Sequence, residues 1–513
     1  MFNKIVKSKY FIYAASVGLS GTLYFLSFPP ANLYYLAWVA LVPLILLING
    51  RSMRFSFAAA FLAGLVANSG IFYWLYKMLL FNTGSVLQSA AATLALTVYL
   101  SLYFGVWAML ISYTKLNLSV FRFSVFASCL WVALEYMRSY FLTGFPWALL
   151  GLSQAQCLPV CQISEFTGAY GVSFIIVFFS AGTAHFIKTT KKFIPYLLLV
   201  SALLIFFLFG KILQINSALE GNPYVTVGVV QGNIDQYKKW DANYENEIKT
   251  VYAGLTAELS RSNPDIIIWP ETAVPGYLPV NMYLYEWVRG VVKQTKTYNL
   301  IGTPYNNGDK DYFNAAVLFG PEGEILGVHK KTHLVPFGEY VPFRKALMPY
   351  FGILNTLGDF NRGVQFNVFP VKSILWAGTI CSENFFGDTV RRFVLNGAEV
   401  IVNQTNDAWF FKSAAAEQHF MMNVFRAIEN RRPVVVSGNT GVSGVVNPEG
   451  RVLKRTELFE RTAFISKISP ARRLTFYTLF GDIFAQICIL VVLIMILAAR
   501  HILIAKPPKA PEV

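Results

Sequence analysis

Charge is what this 513-residue chain has least of. Asp, Glu, Lys and Arg make up 14% of it and apolar residues 55%, whereas a soluble domain carries about a quarter charged residues. That balance excludes a freely soluble globule and points to a membrane protein. Acidic residues are the scarcer sign, 28 against 43 basic, for a net charge of +15. The surplus excludes nucleic acid as a partner by its distribution: residues 224–468 hold 25 Lys+Arg and 23 Asp+Glu, leaving 18 against 5 elsewhere. Basic charge confined to membrane boundaries is topological information. Cysteine is also sparse. Five residues, Cys129, Cys157, Cys161, Cys381 and Cys488, are too few for a disulfide framework. Cys129 and Cys488 lie in apolar helical runs and read as small buried hydrophobes. Cys157 and Cys161, spaced C-x-x-x-C, have no neighbouring metal ligands, and a bridge between them is open if their loop faces an oxidising compartment. With no metal-ligand cluster, dinucleotide-binding glycine pattern or P-loop, no metal and no cofactor is expected.

What is abundant is long apolar sequence. About 20 apolar residues cross a bilayer as a helix. Eight such segments are expected at 10–27, 33–50, 55–80, 87–113, 119–142, 166–187, 193–213 and 482–504. Basic residues gather in alternate loops: Lys4, Lys7 and Lys9; Arg51 and Arg54; Lys115 and Arg122; Lys188, Lys191 and Lys192; Arg500, Lys506 and Lys509. The intervening turns carry almost none. By the positive-inside rule both termini are expected in the cytoplasm and the block between the seventh and eighth spans on the opposite side. The first apolar run is long and lacks a small-x-small site, so it reads as a retained span. The expected domains are therefore 1–213, seven transmembrane helices; 224–468, a polar catalytic block; and 482–504, a last helix.

Within 224–468 the pattern changes to short β-branched runs alternating with amphipathic stretches. Strands are predicted at 224–232, 265–271, 300–305, 315–321, 373–381, 398–406, 433–441 and 462–468, with helices at 243–262, 281–297, 387–396 and 416–431. Continuous apolar strands are buried on both faces, and their alternation with helices predicts a layered α/β domain.

Three segments of this block carry chemistry: IIIWPETAVP (266–275), HKKTHLVPFGEYVP (329–342) and GTICSENFF (378–386). Cys381 ends an apolar run, where α/β folds display reactive groups; alone it reads equally as a buried structural thiol. Glu271 likewise ends an apolar run, where a carboxylate suits general-base work, although it also reads as a loop residue or helix cap. Lys330 or Lys331, followed by a largely apolar stretch up to Glu339, supplies a cation that lowers a thiol pKa or steadies an oxyanion. Glu339 could hold that lysine or act as a second carboxylate. A cysteine nucleophile with a carboxylate base and a cationic partner performs acyl transfer, and its setting between membrane spans points to a lipid acyl group.

The order W-P-E, then K-x-H-L-V-P-F-G-E, then C-x-E resembles the nitrilase, or carbon–nitrogen hydrolase, superfamily. The closer resemblance is to the apolipoprotein N-acyltransferases of Gram-negative bacteria, and it covers nearly the whole chain. It includes Phe28-Pro29-Pro30, Glu135 with Arg138, Gly144-Phe145-Pro146-Trp147, Val230-Gln231-Gly232-Asn233, Lys239-Trp240, Asn406-Asp407-Ala408-Trp409-Phe410, Arg426-Ala427-Ile428-Glu429 and the single C-terminal span. The resemblance selects Lys331, two residues before His333, and implies a Glu271, Lys331, Cys381 triad in an αββα nitrilase-like domain beside the membrane helical bundle. Ser382 departs from the pattern, because the family usually has an aromatic residue directly after the cysteine. Implied partners are a membrane phospholipid as acyl donor and a diacylglyceryl apolipoprotein as acceptor. The implied setting is the bacterial inner membrane, with the catalytic domain in the periplasm and the protein a monomer. Glu339, Glu383 and Ser382 are expected to support the triad, and Trp240, Trp409 and Phe410 to meet substrate. Residues 348–354 and Trp409-Phe410-Phe411 are apolar enough to screen a thioester from water. Glu135 and Arg138 read as a headgroup site or as a mutual i,i+3 ion pair, and Glu429 as a structural partner of Arg426 or Arg431. The alternatives are a membrane-tethered nitrilase or amidase, to which eight spans would be superfluous, and a transporter or scaffold with an inactive domain.

Overall fold

The computed structural model describes residues 2–113, 119–189, 193–218, 224–347 and 359–504. It divides into two compact units, one of Met1–Tyr76, Val86–Gly210 and Asp482–Val513, the other of Lys77–Ser85 and Lys211–Gly481.

The first unit is helical. Among the described residues four helices are long and apolar enough to cross a membrane: Met53–Ile71, Val86–Ser112, Val120–Arg138 and Ala169–Lys188. Shorter apolar helices run over Tyr34–Ile48, Val200–Ile215 and Ile483–Ala498. Eight spans is therefore more than the helices themselves establish, and two of the expected segments are broken. In 33–50, a 3₁₀ turn at Tyr34–Leu36 precedes two short helices that meet at Leu41, with Pro43 opening the second; proline supplies no N–H and fits only a first turn. In 55–80, Phe72 leaves helical geometry (φ −105°, ψ 18°), and its buried ring packs on Trp74 and Phe145. Glu135 accepts from Trp131 Nε1 and the Leu150 N–H, while Arg138 donates to the Trp147 carbonyl. Their hydrogen bonds thus go to other partners rather than to each other. No disulfide joins Cys157 and Cys161. Lys115, Lys191, Lys192, Lys506 and Lys509 lie outside the described residues.

Among its described residues the second unit contains thirteen strands: β1 (Val225–Gln231), β2 (Ile266–Ile268), β3 (Leu278–Pro279), β4 (Tyr298–Asn306), β5 (Phe313–Phe319), β6 (Ile325–Lys330), β7 (Val368–Val371), β8 (Ile374–Ile380), β9 (Val400–Thr405), β10 (Val434–Gly438), β11 (Gly444–Val446), β12 (Val452–Arg455) and β13 (Thr462–Ile468). They form a seven-stranded sheet, β13-β1-β2-β4-β5-β6 with β3 against β4, and a six-stranded sheet, β12-β11-β10-β9-β8-β7. β1, β2 and β4 are parallel, as are β8, β9 and β10. Parallel neighbours need long crossovers, and helices Glu245–Ser260, Met282–Thr295, Gly387–Leu395 and Ala414–Asn430 supply them.

Alternation along each strand sorts the side chains by layer. Val227, Val229, Ile266, Ile268, Leu300 and Leu318 of the first sheet meet Phe369, Val371, Trp376, Ile380, Val400 and Val402 of the second. Val230, Ile267, Ile301, Val317 and Phe319 face the other way, toward Tyr252, Leu259, Val288 and Val292 of the outer helices. The result is the αββα arrangement anticipated from the sequence. Trp376 is fully buried in the inter-sheet core. Trp376→Ala is expected to cost about 3–5 kcal/mol and to lower the thermal midpoint of the purified protein in detergent. A truncation on the exposed strand β12, such as Leu453→Ala, should leave that midpoint within about a degree, since surface changes stay within about 0.5 kcal/mol.

Candidate active site

Strand ends in the second unit deliver the candidate residues. Glu271 follows β2 through Trp269-Pro270, and strand β4 fixes its main chain: Ala273 N–H donates to the Gly302 carbonyl at 2.7 Å. A Cβ at Gly302 would fall 2.3 Å from the Pro270 oxygen and 2.6 Å from Glu271 Cα, so only glycine permits this approach. Lys331 follows β6, with its N–H on the Asn314 carbonyl of β5. Cys381 follows β8 in a left-handed conformation (φ +48°), a strained geometry for a non-glycine residue of the kind that clusters at functional sites.

The side chains form one buried polar group. Lys331 Nζ lies 2.9 Å from Glu339 and 3.5 Å from Glu271 Oε1. Asn314 Nδ2 donates to both carboxylates, at 2.7 Å to Glu271 and 2.8 Å to Glu339. The second Glu339 oxygen accepts from Val335 N–H. Glu339 is thus the nearer holder of the lysine. Burial works against the Lys331 charge, but Glu339 and then Glu271 outweigh it and raise its pKa well above the ordinary value. The Cys381 thiol is pushed well above its ordinary range by burial and then by Glu271, with Lys331 opposing. The resting sulfur is therefore a thiol, and it needs a base to become a nucleophile.

Glu383 is fully buried and ties the cysteine turn to the lysine segment. It accepts from Ile380 N–H at 2.8 Å, from Thr332 N–H and Oγ1 at 2.6 Å each, and meets His329 Nε2 at 3.2 Å. Burial disfavours its charge, yet His329 and the Thr332 donors prevail and hold its pKa at about 2. Ser382 is buried, with its hydroxyl donating to the His333 carbonyl. Trp240 and Trp409 are 51% and 41% exposed, and Phe410 is half-buried. Trp409 contacts Tyr237 edge-on, and Phe81 packs on both Tyr237 and Phe411. Residues 348–354 lie outside the described residues. Glu429 pairs with Arg426 at 2.7 Å. Among the described residues no cluster of three or more His, Cys, Asp or Glu side chains could hold a metal ion.

Comparison with known proteins gives the arrangement its context. Residues 20–182 match the apolipoprotein N-acyltransferase N-terminal domain, and residues 226–474 match carbon-nitrogen hydrolase. An apolipoprotein N-acyltransferase of Geobacter metallireducens is 35% identical over 499 residues, 92% of each chain. The chain belongs to the apolipoprotein N-acyltransferase family. Another member, from Chlorobaculum tepidum, is 30% identical over 92% of this chain and 93% of its own. An amidase from Nesterenkonia sp. is 18% identical over 48% of this chain and 91% of its own, with a TM-score of 0.38.

Two residues of this candidate site received no role in the sequence reading. Asn314 lies in an otherwise apolar strand, and a lone amide in such a run was the available signal; Lys239 entered only as part of Lys239-Trp240 in the family resemblance. Lys239 is fully buried, with its ammonium 3.1 Å from Thr272 Oγ1 and 3.5 Å from the Glu271 carbonyl oxygen. Burial pulls its pKa down to about 7, with Glu271 opposing.

The depressed Glu383 carboxyl makes a pH-dependent prediction. Its stabilisation is fully present above the unfolded value of about 4.3 and is lost as pH falls through the folded value of about 2. Glu383→Gln should cost about 2–3 kcal/mol near neutrality. The gap from wild type, followed by thermal unfolding, should close between about pH 4.3 and 2.

Proposed function

We propose that the chain transfers a fatty acyl group from a membrane phospholipid to the free α-amine of the diacylglyceryl-cysteine of an apolipoprotein, through a thioester on Cys381. The observation that carries this reading is a buried ammonium held by two carboxylates, in electrostatic contact with a protonated cysteine at the end of β8. A family whose members are named apolipoprotein N-acyltransferase supplies the substrate class.

In the first half-reaction the Glu271 carboxylate takes the Cys381 proton and the sulfur attacks a phospholipid ester carbonyl. Charge then develops on the carbonyl oxygen. Lys331 has three N–H groups, of which Glu339 and Glu271 occupy two, and the third stabilises that oxyanion. Collapse breaks the ester C–O bond. The lysophospholipid oxygen leaves with the proton held by Glu271, and an acyl-cysteine remains. In the second half-reaction Glu271 takes a proton from the incoming amine, and the nitrogen attacks the thioester. The C–S bond then breaks and the proton returns to sulfur. Asn314 keeps one Glu271 oxygen hydrogen-bonded throughout, which leaves the other for proton transfer. Trp240, Trp409 and Phe410, as partly exposed apolar groups, suit contact with lipid chains.

The same reading gives the topology. Residues 1–213 and 482–504 embed in the bacterial inner membrane as seven spans and one. Residues 224–468 face the periplasm, where apolipoproteins are presented, and the protein works as a monomer. The four long apolar helices and the alternation of basic loops support this.

Incubating the purified protein with labelled phospholipid and no acceptor should give one acyl adduct by intact mass, mapped to Cys381. Adding a diacylglyceryl-cysteine peptide should discharge it as an amide. Absence of the adduct from folded protein that nonetheless hydrolyses small amides would replace this reading with that of an amidase. Cys381→Ala should show no adduct. Glu271→Gln should slow adduct formation by about 10²–10⁴-fold, and Lys331→Met by about 10²–10³-fold.

A further inference from the structure

We propose that Lys239 is a positioning residue for the base: it clamps the Glu271–Thr272 main chain from a loop that is itself latched to the opposite sheet. The inference rests on the assignment of Glu271 as base.

A buried ammonium is costly unless it is well paired. Lys239, whose pKa burial brings down to about 7, directs its amino group at a hydroxyl and a carbonyl, Thr272 Oγ1 and Glu271 O. Those two atoms bracket the residue the mechanism needs most. Thr272 is β-branched and adopts φ +47°, where such side chains are rare outliers. A strained conformation persists only when its surroundings over-determine it. Gly302 of β4 restrains this turn through the Ala273 N–H, and Lys239 restrains it through the Glu271 carbonyl and the Thr272 hydroxyl.

The lysine can act as a clamp because its own loop is fixed. Asn233 N–H donates to the Asn439 carbonyl at 2.8 Å. The Asn439 side chain accepts from Ile234 N–H at 2.9 Å and donates to the Ile234 carbonyl at 2.7 Å. It also donates to Asn406 Oδ1 at 3.0 Å, and Asn406 in turn donates to Gln236 at 2.5 Å. Asn439 and Asn406 follow β10 and β9, in the sheet that carries Cys381. The latch therefore references the main chain of the base to the sheet of the nucleophile. Trp240, the next residue along, is half exposed.

The test uses the full-length protein in detergent–phospholipid micelles. Two rates are followed: acyl-Cys381 formation by intact mass, and Cys381 alkylation by iodoacetamide between pH 6 and 10, read on the Cys381 peptide. Lys239→Met is expected to slow acylation about 10–100-fold, the scale of a misaligned catalytic group, and to move the alkylation profile toward lower pH, as Glu271→Gln does, because Glu271 is one of the groups that hold the thiol pKa up. On the Glu271→Gln background the same substitution should cost less than about twofold, because coupled residues are not additive. Thr272→Val removes one of the two contacts and keeps the lysine. It should move both readouts the same way by a smaller factor, and it serves should Lys239→Met not fold. The inference falls if Lys239→Met acylates within twofold of wild type. It also falls if the loss is as large on the Glu271→Gln background, or if acylation drops with a lower thermal midpoint and an unmoved alkylation profile. If Glu271→Gln itself leaves the profile unmoved while Cys381 still acylates, the base assignment falls with it and the acyltransferase reading stands.

Discussion

The ammonium of Lys331 is the charge around which the candidate site is built. Two buried carboxylates lie within ion-pair distance of it, and Asn314 bridges them. Isolated buried charges are prohibitive, so each member of this set is tolerable only because the others are present. The set as a whole is one negative charge in excess. That excess, with burial, keeps the cysteine protonated. The arrangement thus stores a quiet thiol beside its base, and reactivity waits for a carbonyl to accept the developing charge.

Around that centre, polar groups connect chain segments far apart in sequence. Glu383 gathers donors from β8, from the residue after Lys331 and from His329. Asn314 instead donates to the two carboxylates, joining the segments that carry Glu271 and Glu339. In each case one side chain bonds to several segments, so the spacing of the reactive groups depends on a few buried amides and carboxylates. These interactions also make the left-handed geometry at Cys381 sustainable.

How much of this the sequence disclosed depends on the kind of signal. The inner strands were legible because burial on both faces gives unbroken β-branched runs such as 266–268 and 400–402. The four crossover helices were legible from their apolar period. β3, β6, β7, β11 and β12 fell outside the eight predicted strands: β3, β7 and β11 are only two to four residues long, β6 is largely part-exposed, and β12 is exposed along its whole length, so it carries no apolar alternation. The broken helices at 33–50 and 55–80 were missed for another reason. Hydropathy sums side chains, whereas Pro43 and the packing of Phe72 on Trp74 act on the backbone. Glu271, Lys331 and Cys381 stood out through their motifs. Asn314 did not, and Lys239 appeared only within a resembling segment and without a role, since what matters in each is which main chain or carboxylate it meets across the fold.

β1 and β13, the first and last strands of the α/β unit, are antiparallel neighbours, with Val225 opposite Ile468 and Gln231 opposite Thr462. The chain that follows β13 then crosses to the helices of the second sheet: Ala471 N–H donates to the Glu399 carbonyl, Arg432 to the Arg473 carbonyl and Thr475 Oγ1 to the Glu429 carbonyl. Tension arriving along the chain from residue 482 would therefore meet these contacts before it reached the seven paired residues of β1 and β13. The zipper closes the first sheet without bearing the pull on its C-terminal exit.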